Sequence, residues 1–136
     1  MTIYIDENLS PYLSKGFHFL QMPENIKLRE LVEVRSIKED FGEGSQDEDW
    51  IPQARKRDSC IISQDYDLHR ISHQQTLCKQ FKLGMFYVRP PAKKGFLYWD
   101  MVKLLVKHWP EITKIATRES RPFAFKITSR SKIEPL

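Results

Sequence analysis

The chain has 136 residues, 40% of them hydrophobic, with a mean hydropathy of −0.52 and a formal net charge of +4. That length and apolar content suit one domain, residues 1–136, around one core, and no apolar run approaches the roughly 20 residues a membrane span needs. The opening Met1-Thr2-Ile3-Tyr4-Ile5-Asp6 has neither the basic and apolar regions nor the small-residue cleavage site of a signal peptide, so a cytoplasmic protein is expected.

Thr2 to Asp6 is β-branched and aromatic and reads as a strand. Ser10 is a good N-cap and Pro11 suits the first helical position, where a missing N–H costs nothing. They predict a helix from Pro11 to Gln21, with Leu13, Phe17 and Leu20 on one face. Met22-Pro23-Glu24-Asn25 is expected to break it. Glu30 to Ile37 alternates and reads as a half-exposed or edge strand. Lys38 to Gln46, with Gly42 and Gly44, reads as a polar, mobile loop. A helix then begins near Asp47 or Asp49 and runs to Arg57. Pro52 fits its first turn if Glu48 or Asp49 is the cap, and fits poorly if Asp47 is.

Ser59 to Ser63 is an apolar strand ended by Gln64-Asp65-Tyr66-Asp67, and Leu68 to Phe81 is helix-like. Leu83 to Val88 is a fourth strand, closed by Arg89-Pro90-Pro91. Phe96 to Trp109 has the widest apolar helical face, and Glu111 to Glu119 reads as a separate, shorter helix. Pro122 to Thr128 alternates as a late, edge-type strand, and the tail from Ser129 is polar and expected to be loose. Strands alternating with helices predict an α/β fold: right-handed crossovers, a largely parallel sheet and helices on both faces.

The charge is unevenly distributed. Residues 1–68 carry 14 acidic and 8 basic side chains, and residues 69–136 carry 4 and 14. Such an arrangement suits a metal site beside a polyanion-binding surface, unless the halves interleave on folding. Cys60 and Cys78 have no metal-ligand spacing and read as buried, reduced thiols.

Asp6 ends the first strand, Asp65 and Asp67 follow the third, and Asp47, Glu48 and Asp49 open the second helix. In an open parallel sheet, ligands bind beyond the carboxyl ends of the strands, near the switch in strand order. Strands one and three of such a sheet are often neighbours, which would set Asp6 beside Asp65. Unit charges about 4 Å apart repel by roughly 4 kcal/mol at an effective dielectric near 20. A pocket of carboxylates therefore needs protons, basic partners or a metal. Oxygen-only ligands favour Mg²⁺ or Mn²⁺. Taken singly, an Asp at a strand end or helix start is also ordinary turn and cap chemistry.

Ile5-Asp6-Glu7-Asn8-Leu9-Ser10-Pro11 resembles the "DENLS" opening of the PIN-like proteins, a branch of the PIN-domain superfamily found among toxin–antitoxin toxins. Ser45-Gln46-Asp47-Glu48-Asp49-Trp50-Ile51 resembles that family's "S-D-E-E-I-L" helix start. Ile61-Ile62-Ser63-Gln64-Asp65-Tyr66-Asp67-Leu68 resembles its "L-V-T-R-D-K-D-F". The three stations span about residues 3–90. The resemblance implies a three-layer α/β/α fold with a mostly parallel central sheet, an acidic Mg²⁺ or Mn²⁺ pocket and, in many relatives, cleavage of single-stranded RNA. It carries Asp6, Asp47, Asp65 and Asp67 over as metal-binding acids. Gln46 stands as an insertion between Ser45 and Asp47, which leaves the second acid open between Asp47 and Glu48 or Asp49.

The remaining candidates concern substrate. Asn8 is placed to orient Asp6 or a bound water, and Ser63 to hydrogen-bond a carboxylate or phosphate. Arg89, at the same sheet end, is a candidate phosphate grip, with Arg70 a weaker one. Lys93 and Lys94 form a basic turn suited to an RNA backbone. The expected function is a Mg²⁺- or Mn²⁺-dependent endoribonuclease acting as a toxin, with RNA and an antitoxin protein as partners. A homodimer is left open, and no membrane is involved. The rival readings are a catalytically silent PIN-like module that binds RNA or protein, and a phosphorylation-receiver domain, which lacks its lysine here.

Overall fold

The period-two pattern of the strands produces a sheet with two apolar faces. The computed structural model describes residues 1–6, 9–28, 30–65, 67–90, 96–128 and 132–136. The elements are β1 (Thr2–Ile5), α1 (Pro11–Lys27), β2 (Glu33–Ser36), α2 (Ile37–Phe41), α3 (Asp47–Ala54), β3 (Ser59–Ser63), α4 (Leu68–Gln80), β4 (Gly84–Val88), α5 (Tyr98–Arg118), β5 (Phe123–Ile127) and β6 (Glu134–Pro135). Among the described residues they form one six-stranded sheet in the order β2-β1-β3-β4-β5-β6. Every pairing is parallel except β5 with β6.

Ile3, Ile5, Cys60, Ile62, Phe86 and Val88 face α1 and α5, where Leu13, Phe17, Leu105 and Trp109 complete one apolar layer. Tyr4, Ile61, Met85 and Tyr87 face the other way and pack with Ile37, Trp50, Ile51, Ala54, Ile71 and Cys78. The fold is thus a three-layer α/β/α sandwich, as the alternation of elements predicts. Among the described residues no helix is long and apolar enough to cross a membrane.

The chain leaves β1 for β2 on one side and returns through β3 to β4 and β5 on the other. The switch in strand order therefore lies between β1 and β3, the position where open α/β sheets bind ligands. Pairing of Ile5 with Ile62 sets Asp6 beside Ser63 at that point, and the Asp6 amide donates to the Ile62 carbonyl at 3.0 Å.

Several local expectations are corrected. The first helix does not break at Met22-Pro23 but runs to Lys27 with Pro23 inside it. The lost backbone hydrogen bond is offset by tertiary ties. Asn25 Nδ2 donates to the Val32 carbonyl, the Val32 amide donates to Asn25 Oδ1, and Trp109 Nε1 donates to Gln21 Oε1. Likewise Glu111–Glu119 is not a separate helix, because α5 passes through Pro110 to Arg118. Buried Ile112 and Ala116 continue the face of Leu105 and Trp109 at helical spacing.

The polar loop expected over Lys38–Gln46 instead opens with α2. Ile37 and Phe41, one turn apart, cover Tyr4 and Trp50. The third helix is not capped by Glu48 or Asp49: Gln46 is its N-cap and Asp47 its first residue, so Pro52 lies beyond the first turn and the helix stops at Ala54. The late strand is not at the edge, since β6 pairs with β5 and Ile133 joins the core.

Candidate functional site

Period two places Asp6, Ser63 and Tyr87 on the same sheet face as Tyr4, Ile61 and Met85, which is the face covered by α3 and α4. Asp6 is 2% exposed and Asp47 7%. Ser63 Oγ donates to Asp6 Oδ2 at 2.7 Å and also lies 3.1 Å from Gln74 Oε1. Gln74 Nε2 donates to Asp47 Oδ1 at 3.2 Å, and Trp50 Nε1 donates to the same oxygen at 3.1 Å. A buried chain of contacts thus runs from β1 through β3 and α4 to α3. Buried polar groups are costly without partners, and this chain supplies them.

Arg70, in the first turn of α4, lies among the acids. Its three guanidinium nitrogens face three different carboxylates. Nη1 donates to Asp65 Oδ2 at 2.6 Å, Nη2 lies 3.8 Å from Asp6 Oδ2, and Nε lies 3.7 Å from Asp47 Oδ2. Burial pulls the guanidinium pKa down, but Asp6, the hydrogen bond to Asp65, and Asp47 outweigh it and hold it above its ordinary value. Asp65 is fixed further by the Asp67 amide, which donates to its Oδ1 at 2.9 Å, and by the Tyr87 hydroxyl, which donates to its carbonyl at 2.7 Å.

The structure therefore brings Asp6, Asp47, Asp65 and Ser63 together. Asp67 is the N-cap of α4: its Oδ1 accepts from the amides of His69 at 2.9 Å and Arg70 at 3.4 Å. The Glu48 carboxylate is engaged with His73 Nε2 on α4. Its own backbone N–H near the start of α3 and that histidine hold it below the usual carboxylate range. Asp49 is exposed. Arg89 is exposed past the end of β4, and its amide donates to the Ile127 carbonyl. Asn8, Lys93 and Lys94 lie outside the described residues.

Sequence reasoning gave Arg70 a minor role and missed Gln74, Trp50 and Tyr87. A signal existed in α4. Asp67, Arg70 and Gln74 fall at i, i+3 and i+7, a polar stripe on one helical face beside the apolar stripe of Ile71 and Cys78.

Three carboxylates and a hydroxyl make an oxygen-only donor set, whose chemistry fits a hard divalent cation. Their spacing, however, is set around Arg70. Among the described residues, no three His, Cys, Asp or Glu side chains stand in ion-holding geometry.

No curated protein and no solved structure matches this chain. A family model described as a PIN-like domain matches residues 1–90, which contain β1 to β4 and every residue of the acidic cluster. The chain belongs to the PIN-like domain family.

Proposed function

We propose that the protein is a cytoplasmic, metal-dependent endoribonuclease that cuts single-stranded RNA, and that it serves as the toxin of a type II toxin–antitoxin pair. The observation that carries this reading is the convergence of Asp6, Asp47 and Asp65 at the β1/β3 switch point of a PIN-like fold, since PIN domains are generally nucleases. Asp6, Asp47 and Asp65 would hold Mg²⁺ or Mn²⁺. When bound, such an ion supplies charge neutralisation at a phosphate and a more acidic water. Ser63 orients Asp6, Gln74 and Trp50 orient Asp47, and Asp67 fixes the start of α4 and so the position of Arg70.

The sheet order supports a polyanionic substrate. The acidic half supplies β2, β1 and β3 and the basic half β4, β5 and β6, so in the sheet the two stay side by side rather than interleaved. Arg89, Lys93 and Lys94 then offer cations to the RNA backbone.

The test is incubation of the purified protein with single-stranded RNA in Mg²⁺, Mn²⁺ or EDTA, beside Asp6→Asn and Asp65→Asn. Cleavage that needs the ion and is lost in both variants is the expected result. Equal cleavage by wild type and variants would overturn it. A second reading, a silent PIN-like module that binds RNA or protein, is favoured by the Arg70 guanidinium among the three acids. RNA binding without cleavage under every ion would select it.

A further inference from the structure

We propose that Arg70 is an internal latch on the acidic cluster: a resident cation that a divalent ion must displace before the site is competent. This inference rests on the metal-site reading above. The geometry that points to it is the matching of one guanidinium to three carboxylates, one nitrogen to each. An exposed arginine that merely neutralises nearby acids pairs with whichever is closest. Arg70 instead projects into the centre of the set, with its side chain 34% exposed while Asp6 and Asp47 lie beneath it.

The surroundings hold it there. Asp67 caps α4 two and three residues earlier through the His69 and Arg70 amides, which fixes the backbone from which Arg70 projects. Asp65 is gripped by the Asp67 amide, so its Oδ2 is presented to Arg70. The two acids on the inner side are held by hydrogen bonds, Asp6 from Ser63 and Asp47 from Gln74 and Trp50, that do not depend on Arg70.

Two cations cannot share this space. Ion binding and the inward Arg70 conformation are therefore mutually exclusive, and the apparent affinity for the ion is reduced by the fraction of molecules in which Arg70 is inward. The partial exposure of Arg70 leaves it a route outward. The consequence is a site that stays closed at low divalent-ion concentration and has the mutual repulsion of its carboxylates partly offset by one positive charge meanwhile.

The experiment titrates Mn²⁺ into metal-stripped wild type, Arg70→Gln and Arg70→Lys, reading bound ion by calorimetry and the melting temperature alongside. Arg70→Gln is expected to bind Mn²⁺ at least tenfold more tightly than wild type. It should melt lower in EDTA, where the carboxylates repel one another uncompensated, and gain more on adding Mn²⁺. Arg70→Lys keeps a charge but cannot present a separate nitrogen in a rigid plane to each acid, so its affinity should fall between the two.

Should Arg70→Gln fail to fold, the wild type itself decides. The Arg70 Nε–H resonance should shift or broaden as Mg²⁺ binds. Equal Mn²⁺ affinity in wild type and Arg70→Gln, or an Arg70 Nε–H signal unchanged at saturating Mg²⁺, overturns the latch and leaves the metal site standing. Failure of every protein to bind either ion overturns both.

Discussion

Ser63 Oγ lies 2.7 Å from Asp6 Oδ2 inside a region closed to solvent, with both residues set there by the parallel register of β1 on β3. A hydrogen bond to a buried carboxylate contributes about 1.5–3 kcal/mol. Ser63→Ala should lower unfolding stability by that amount in urea titrations. In an Asp6→Asn background the same substitution should cost distinctly less, because the charge that made the bond strong has gone. Equal costs in the two backgrounds would place the hydroxyl's value elsewhere, at Gln74.

Asp67 distinguishes a ligand from a cap. Its Oδ1 serves two backbone amides at the start of α4, and asparagine caps helices about as well as aspartate. Asp67→Asn should leave both stability and RNA cleavage within about threefold of wild type, whereas Asp67→Ala should cost about 1 kcal/mol. Loss of cleavage in a stably folded Asp67→Asn would give Asp67 a role in the metal-binding set besides the cap.

The division between what could and could not be read from the sequence follows the range of each interaction. Asp6 could be placed because a β-branched run ends at it, and the switch-point rule needs only the order of strands. Arg70 is hard to place from the sequence because one turn of helix fixes its direction only relative to α4. Its approach to Asp6 depends on how α4 lies over β1 and β3. The prolines failed for the same reason. Pro23 and Pro110 each remove a hydrogen bond, a local effect visible in the sequence, but the clamp of Asn25 on Val32 and the buried positions of Ile112 and Ala116 are tertiary and keep both helices going. Pro52 misleads about where α3 begins because first-turn preferences favour a later start, whereas the structure starts α3 at Asp47 and ends it at Ala54.

The two thiols should be chemically quiet. Cys60 and Cys78 are both buried, on opposite faces of the sheet. Burial pushes each thiol up to about 12; for Cys78 the nearby Asp47 adds to it. At pH 8 a thiol of that pKa is ionised in roughly one ten-thousandth of molecules, and the thiolate is the nucleophile. Iodoacetamide at pH 8 should therefore modify neither cysteine in the native protein and both in denaturant, as followed by intact mass. Rapid native labelling of Cys78 would mean that α4 opens away from the sheet.

His108 should make stability depend on pH. It lies on α5 at 5% exposure, and among the described residues its Nε2 has no hydrogen-bond partner. Burial lowers its pKa and the neighbouring Lys107 lowers it further, against smaller opposing effects of Glu111 and a hydrogen bond to the Thr128 backbone. The folded value thus lies below the ordinary one near 6.5, so on acidification the unfolded chain takes up the proton first. The fold is at full strength above the unfolded value and loses stability as pH falls through the folded one. The urea midpoint of wild type should drop between pH 7.5 and 5.5, and His108→Gln, which cannot titrate, should drop less over the same interval. His18, His69 and His73 are common to both proteins, so the difference in slope isolates His108. Parallel slopes would mean that water reaches the ring and that protonation there costs the fold nothing.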